Sequence, residues 1–131
     1  MGHSEIKILV VDDEEVVNAN LQAFLEDEGF TVYTAASGEA ALQLLDRQAV
    51  DVGIIDMRLP GMDGNTLILN AHQKQPLMKF LIHTGSTNYA LPQALLDIGL
   101  TKAQVFRKPL SDLSVLTPMI NQLSNMEKRD D

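Results

Sequence analysis

Short apolar runs alternate along this chain with longer segments whose apolar residues recur at helical spacing. Residues 6–11 (IKILVV) are mostly β-branched and almost unbroken, which is typical of a strand buried on both faces of a sheet. Residues 14–28 place Leu21 and Leu25 on one helical face. Gly29 follows directly, at the position where a glycine commonly ends a helix.

The same alternation continues to the end of the chain and predicts five strands and five helices. The strands are expected at 6–11, 31–35, 52–56, 79–84 and 105–107. The helices are expected at 14–28, after an N-cap at Ser37, at 66–75, at 88–98 with Pro92 in the first turn, and from Ser111 to about Met126 with Pro118 in its first turns. This order predicts an α/β fold, in which helices cover both faces of a parallel sheet through right-handed crossovers.

The length and composition fit one folded domain. The chain has 131 residues, of which 45% are hydrophobic and 21% charged, so we expect a single globular unit. Gly2, His3 and Ser4 are typical of a cloning remnant. We therefore assign residues 5–126 to the domain, 1–4 to the remnant and 127–131 to a tail or a truncated linker.

Charge and cysteine content exclude several classes of function. The net charge of −8 would repel phosphate backbones, so we expect no direct nucleic-acid binding. The absence of cysteine excludes disulfides, thiol catalysis and cysteine-based zinc sites. No apolar run approaches the ~20 residues of a membrane span and no signal-peptide pattern is present, so we expect no membrane contact and a cytoplasmic location.

Polar residues follow four of the predicted strands. Asp12 and Asp13 end the first, Asp56 the third, Thr84 the fourth and Lys108 the fifth. The carboxyl ends of parallel strands share one rim of the sheet, where ligands of such folds bind. Each residue also has an ordinary alternative: acids that complement a helix dipole, a strand hydroxyl, or a surface lysine. Their joint placement favours a shared pocket.

Such a pocket would suit phosphoryl chemistry. Two carboxylates ~4 Å apart repel by roughly 4 kcal/mol at an effective dielectric near 20. A hard divalent cation relieves this repulsion, and a site with oxygen donors alone favours Mg²⁺. Asp56 could then attack a phosphoryl group and form an aspartyl-phosphate. Lys108 and Mg²⁺ would stabilise the transferring oxygens, and Thr84 would hydrogen-bond one of them.

At these motifs the chain resembles the receiver domain of bacterial two-component response regulators. The resemblance covers residues 5–126 and rests on four segments in the family's order: VVDD at 10–13, DMRLPGMDG at 56–64, TG at 84–85 and KP at 108–109. It implies a flavodoxin-like fold with strand order 2-1-3-4-5. It also implies a regulatory domain that assists only its own phosphorylation and dephosphorylation, rather than an enzyme.

The resemblance implies a Mg²⁺ site with four protein contributors. Asp13 matches the direct carboxylate ligand, and Asp12 matches the acid that acts mainly through water. Asp56 and the backbone carbonyl of Arg58 match the remaining oxygens.

The resemblance also assigns the groups around the phosphoryl group. Asp56 matches the phosphoacceptor, Thr84 the hydroxyl that moves onto the phosphoryl group, and Lys108 the cation that binds it. The bond from Lys108 to Pro109 is expected to be cis. Gly85 matches a small residue that leaves room for the phosphoryl group, while Arg58 and Ser86 match positions that tune its lifetime.

One position departs from the family pattern. Three residues before the lysine the family often has a Tyr or Phe that turns inward on activation, whereas this chain has Val105. The aromatic residue is Phe106, which should face the other side of the sheet because side chains alternate along a strand. For the same reason His83 should point away from the face of Thr84, as a packed histidine.

The implied partner is a sensor histidine kinase or a histidine phosphotransfer protein that carries a phosphohistidine. The fourth helix, fifth strand and fifth helix would form the output surface, which acts on a linked or separate output domain or forms a homodimer.

Two alternatives remain open at this stage. A Mg²⁺-dependent phosphatase of the haloacid dehalogenase type would carry its acyl phosphate on Asp12 or Asp13. A phosphorylation-independent binding module would take up no phosphoryl group at all.

Overall fold

The computed structural model describes residues 6–110 and 112–128. Five parallel strands form one sheet in the order β2-β1-β3-β4-β5, so the predicted fold and strand order are confirmed. The strands are β1 (Lys7–Val11), β2 (Thr31–Ala35), β3 (Val52–Ile55), β4 (Lys79–Thr84) and β5 (Val105–Arg107).

Five α-helices connect and follow the strands. They are α1 (Glu15–Asp27), α2 (Gly38–Leu45), α3 (Gly64–Lys74), α4 (Gln93–Asp97) and α5 (Leu116–Lys128). Short 3-10 turns at Lys102–Gln104 and Leu113–Val115 precede β5 and α5. Within the described residues, every helix is too short or too polar to cross a membrane.

Two apolar clusters fill the space on either side of the sheet. One includes Leu21 and Leu25 of α1 with Ile120 of α5, and we call it the α1–α5 cluster. The other includes Leu67 of α3 and Leu95 of α4, together with residues of α2, and we call it the α2–α4 cluster. Helices therefore cover both faces, as the alternation of elements predicted.

Burial follows each strand's place in the sheet. The interior strand β1, between β2 and β3, has Ile8, Leu9 and Val10 at most 1% exposed, in keeping with its unbroken apolar sequence. The edge strand β2 alternates between buried and more exposed positions, and the edge strand β5 has no fully buried residue. The rim at the carboxyl ends of β1, β3 and β4 is thus held by the most buried strands of the sheet.

The fourth helix is much shorter than predicted. The apolar spacing predicted residues 88–98, but α4 spans only Gln93–Asp97. Pro92 is its N-cap residue, with φ −67° and ψ 157°, rather than a residue of the first turn. A proline disfavours helical geometry in the residue before it, so the segment ahead of Pro92 stays irregular.

Other helix ends differ from the prediction by a few residues. Helix α3 begins at Gly64 instead of residue 66, because the carboxylate of Asp63 accepts a hydrogen bond from the amide of Thr66 (2.8 Å) and caps the helix. Helix α5 begins at Leu116 and ends at Lys128. Ser111, the predicted start of that helix, lies outside the described residues. The end of α1 agrees with the prediction, with Gly29 at φ +101°.

Candidate functional site

The ends of β1 and β3 bring the predicted carboxylates together. These strands are neighbours with Val11 opposite Ile55, and the amide of Asp56 donates to the carbonyl of Val11 (2.9 Å). One carboxylate oxygen from each of Asp12, Asp13 and Asp56 lies within 4.8 Å of the others. Asp12 is 1% exposed and Asp56 4%, whereas Asp13 is open to solvent. Adjacent strands therefore create an acidic cluster with two buried members.

The end of β5 adds the cation. The Lys108 Nζ lies 2.6 Å from Oδ2 of Asp12 and 3.5 Å from Oδ2 of Asp56. Its backbone amide donates to the carbonyl of Thr84 (2.8 Å), and the Lys108–Pro109 peptide bond is cis, as expected. Lys108 thus lies in one pocket with the carboxylates, as the strand ends predicted, and it is closer to Asp12 than to Asp56.

The surroundings of Asp56 disfavour its negative charge. Burial raises the pKa of its carboxyl group, and the negative charge of Asp12 raises it further. Lys108 and the amide of Arg58, which donates to Oδ1 of Asp56 (3.3 Å), oppose this shift without cancelling it. A positive charge that arrived here would be bound favourably.

Lys108 keeps its charge in this pocket. Burial lowers the pKa of its ammonium group, but the hydrogen bond to Asp12 and the charges of Asp56 and Asp12 outweigh burial, so the pKa lies above its ordinary value. The ammonium therefore remains available to neutralise negative charge at the rim.

A buried asparagine fixes the loop that carries Asp12 and Asp13, and sequence reasoning missed it. The Nδ2 of Asn18 on α1 donates to the carbonyls of Asp12 (2.8 Å) and Ala35 (3.1 Å). The amide of Glu14 donates to Oδ1 of Asp12 (2.9 Å). The only signal in the sequence was a polar residue on the inner face of α1, where an apolar one is usual.

Thr84 ends β4 beside this cluster and is fully buried. Its Oγ1 accepts a hydrogen bond from the amide of Ser86 (3.1 Å). A Cβ atom at Gly85 would have no heavy atom within 4 Å, so there is free space beside Thr84. By contrast, a Cβ at Gly64 would overlap the carbonyl oxygen of Asp56 and lie 2.8 Å from Cα of Met57.

The side chains next to the pocket lie on the faces that strand alternation predicted. Val105 packs against the α2–α4 cluster and Phe106 against the α1–α5 cluster. His83 is 7% exposed and lines a cavity of about 350 Å³ with Val17 and Leu21 of α1. The ring at position 106 is therefore on the opposite face from the position where the family often has one.

The donor atoms fit a hard divalent cation. The cluster offers carboxylate oxygens, with neither imidazole nor thiolate among its members, and this set suits Mg²⁺. The surplus negative charge on three acids facing one lysine also suits a cation. The part assigned to the carbonyl of Arg58 remains a prediction.

A parallel α/β sheet with an acidic, lysine-containing rim defines a class of phosphoryl- or cation-binding domains. Comparison with known proteins identifies the family within this class. The family model described as "Response regulator receiver domain" matches residues 8–120. The chain belongs to this family, whose members generally bind Mg²⁺ through acidic residues.

Individual relatives agree with the family match. The chain is 44% identical over 59 residues to the heme response regulator HssR of Staphylococcus aureus (strain bovine RF122 / ET3-1). The aligned segment covers 45% of this chain and 26% of HssR. It is 38% identical over 84 residues to the transcriptional regulatory protein GlrR of Escherichia coli (strain K12), which covers 64% of this chain and 19% of GlrR. The match thus spans about a quarter or less of these relatives.

A solved structure matches the whole domain. The CheY-like response regulator receiver domain protein from Methanospirillum hungatei JF-1 superimposes with a TM-score of 0.81 at 26% identity, covering 97% of this chain and 99% of that one. The chain is therefore a receiver domain of the response regulator type, a regulatory domain. The phosphatase and binding-module alternatives are not favoured by any of these matches.

Proposed function

We propose that Asp56 accepts a phosphoryl group from a phosphohistidine and that the resulting aspartyl-phosphate switches the domain. The observation that carries this proposal is the position of Asp56: a 4%-exposed carboxylate with an ammonium 3.5 Å away and two further acids beside it. The ammonium beside this carboxylate can stabilise the negative charge of a phosphoryl group that reacts with it.

In the proposed transfer, a carboxylate oxygen of Asp56 attacks the phosphorus atom. A P–O bond forms as the P–N bond to the donor imidazole breaks, and the imidazole leaves with the electron pair and takes up a proton. Lys108 stabilises negative charge on the phosphoryl oxygens, since its raised pKa keeps it protonated. Its 2.6 Å contact with Asp12 holds the ammonium ready at the rim.

Mg²⁺ would be held by Asp12, Asp13, Asp56 and the backbone carbonyl of Arg58, where it would neutralise charge on the acids and on the phosphoryl oxygens. The support is the 4.8 Å grouping of the three carboxylates. Asp13, the exposed member, is the one that an arriving hydrated ion meets first.

The phosphorylated state would be recognised by Thr84, whose hydroxyl can donate to a phosphoryl oxygen. The free space at Gly85 supports this, because a phosphoryl group on Asp56 needs room beside Thr84. The switch would then change the surface formed by α4, β5 and α5. Val105 leaves this surface without the aromatic ring that the family often uses.

We propose a sensor histidine kinase or a histidine phosphotransfer protein in the cytoplasm as the phosphodonor. Response regulators that carry output domains are partnered by sensor kinases. HssR and GlrR extend well beyond the matched segment, and we propose that this domain likewise acts on a linked or separate output domain. The net charge of −8 supports control of another protein rather than direct binding to nucleic acid.

Labelling with a small phosphodonor tests the site. The protein is incubated with acetyl phosphate and Mg²⁺, its intact mass is measured, and the acyl phosphate is located by borohydride reduction and peptide mapping. We expect one phosphoryl group on Asp56, lost when Mg²⁺ is chelated. Asp56→Asn should abolish the label while keeping the circular dichroism spectrum of the parent.

The matched control is Asp46→Asn, the same chemical change at an exposed acid that pairs with Lys74 on the protein surface. It should label like the parent. Labelling of Asp56→Asn at the parental level would overturn the proposal. An acyl phosphate on Asp12 or Asp13 would instead support the phosphatase, and a folded parent that takes up no phosphoryl group would support the binding module.

A further inference from the structure

The segment between β4 and α4 is an irregular loop held by a short series of polar contacts. The amide of Ser86 donates to Oγ1 of Thr84 (3.1 Å), and the amide of Asn88 donates to Oγ of Ser86 (3.3 Å). Each step connects a side-chain oxygen to the backbone two residues later. Two successive hydrogen bonds therefore connect the Thr84 hydroxyl to the backbone of the loop as far as Asn88.

The next residue joins this loop to α3. The phenol of Tyr89 donates to Oδ1 of Asn65 (2.8 Å), and the ring packs against the α2–α4 cluster. Asn65 is the second residue of α3, and that helix starts against Asp56: the amide of Gly64 donates to the carbonyl of Met57 (3.1 Å). Tyr89 thus connects the loop that follows Thr84 to the helix that follows Asp56.

Tyr89 also lies on the face of the sheet that lacks a ring at position 105. Val105 and Tyr89 both pack against the α2–α4 cluster, whereas Phe106 packs on the opposite face. Tyr89 is three residues ahead of Pro92, the N-cap residue of α4. A displacement of Tyr89 would therefore shift the start of α4.

We propose that the hydrogen bond between Tyr89 and Asn65 is a latch that holds the unphosphorylated state and opens when the Thr84 hydroxyl moves to a phosphoryl group on Asp56. This inference rests on the proposed function of Asp56. The oxygen that would contact the phosphoryl group is the one that accepts from Ser86, so its movement shifts the loop and withdraws Tyr89 from Asn65. Opening of the latch delivers the change to α4.

The phenol of Tyr89 is protonated in the resting protein and can donate to Asn65. Burial raises the pKa of the Tyr89 phenol above its ordinary value near 10, and the charge of Asp63 raises it further. The phenol therefore remains a protonated donor at neutral pH, and Asn65 supplies the acceptor.

Tyrosine fluorescence can follow the latch in this chain, which contains two tyrosines and no tryptophan. In a Tyr33→Phe background, Tyr89 is the sole fluorophore. Quenching by acrylamide is measured with and without beryllofluoride and Mg²⁺, a mimic of aspartyl-phosphate. We expect the quenching constant to rise about twofold on addition of the mimic, and to stay constant when Asp56→Asn is added to the same background.

Removal of the latch should favour the phosphorylated state. We expect Tyr89→Phe and Asn65→Ala each to bind beryllofluoride about two- to fivefold more tightly, since one net hydrogen bond corresponds to about fivefold in an equilibrium. The double variant should bind no more tightly than either single one. Tyr33→Phe removes a phenol from another partly buried ring of the same cluster and should leave the affinity at the parental value.

The possible outcomes separate the latch from the proposed function. If the parent neither binds beryllofluoride nor accepts a phosphoryl group on Asp56, the proposed function fails. If it does both, but Tyr89 quenching stays constant and Tyr89→Phe binds the mimic like the parent, the latch is wrong and the phosphoacceptor stands. Urea unfolding of each variant shows whether the compared proteins are equally folded.

Discussion

The buried imidazole of His83 should make the stability of this protein depend on pH in a defined window. His83 is 7% exposed, and its buried Nε2 has no hydrogen-bond partner among the residues that the structure describes. Burial, which is the largest cause, and the charge of Lys108 together lower its pKa to about 4, against the opposing charge of Asp12. In the folded protein the imidazole of His83 is therefore neutral at pH values above about 4, whereas in the unfolded chain it has the ordinary pKa of 6.5.

The sign and size of the effect follow from proton linkage. Because the pKa in the folded state is lower, the unfolded chain binds more protons as the pH falls, and stability is lost between pH 6.5 and about 4. At pH 5 the unfolded imidazole is almost fully protonated and the folded one is mostly neutral, which costs about 2 kcal/mol relative to pH 7. Below pH 4 both states are protonated, and His83 causes no further loss.

Urea unfolding at pH 7 and pH 5 measures this effect, with His83→Leu as the comparison. The carboxylates contribute to the pH dependence of both proteins, so the loss of stability between the two pH values should be about 2 kcal/mol smaller in the variant. His72→Gln, a change at a histidine on α3, should keep the parental loss. Equal losses in the parent and His83→Leu would refute the reasoning.

A direct titration supports the same test if the variant folds poorly. The imidazole resonances of His83 in the parent protein, followed by NMR, should show no titration above pH 5. A midpoint near 6.5 would mean that the side chain is solvated and that the burial argument fails.

Three further changes give results that differ in sign or size. Asp56→Asn should raise the free energy of unfolding at pH 7, because the raised pKa of Asp56 means that its charge disfavours the fold at any pH above that pKa. A lower free energy of unfolding for the variant, measured with urea, would contradict this. Gly64→Ala should lower the free energy of unfolding by more than about 2 kcal/mol, since the added Cβ overlaps the carbonyl of Asp56. Gly85→Ala, where the added Cβ meets open space, should leave the free energy of unfolding unchanged within about 0.5 kcal/mol. Equal effects at the two glycines would be inconsistent with the packing. Asn18→Ala should lower the free energy of unfolding by about 1–3 kcal/mol, because it removes the hydrogen bonds to the carbonyls of Asp12 and Ala35. Gln22→Ala on the same helix, which removes an exposed hydrogen bond to Glu26, should change the free energy of unfolding little. Similar losses for the two variants would contradict the special role of Asn18.

The framework of the site could be predicted from the sequence because it depends on strand ends. Apolar runs set where β1 and β3 stop, and the parallel arrangement then places Asp12 and Asp56 side by side. Lys108 reaches them because β5 ends at the same rim, although β4 separates it from β3. These relations depend on topology: the alternation of elements predicts the parallel sheet, and the resemblance to receiver domains implies the strand order.

The contacts that orient these residues could not be predicted in the same way. The helical spacing places Asn18 on the same face of α1 as Leu21 and Leu25, but nothing in the sequence indicates that its side chain bonds to two loop carbonyls. The helix predicted at 88–98 was wrong because apolar spacing was given more weight than the effect of Pro92 on the residue before it. The loop that replaces its first turns is the segment that carries Tyr89.

The shortened α4 and the valine at position 105 have a common consequence. An aromatic side chain at position 105 would be attached to β5 and could move only by rotating about its side-chain bonds. An aromatic side chain on a loop can also move together with its backbone. With Val105 on the strand and Tyr89 on a loop that begins at Thr84, we expect movement in this domain to be carried by the loop rather than by the rotation of one side chain. The loop between β4 and α4 is long because α4 begins only after Pro92. We expect this length to let the loop move, and the hydrogen bond from Tyr89 to Asn65 to restrain that movement.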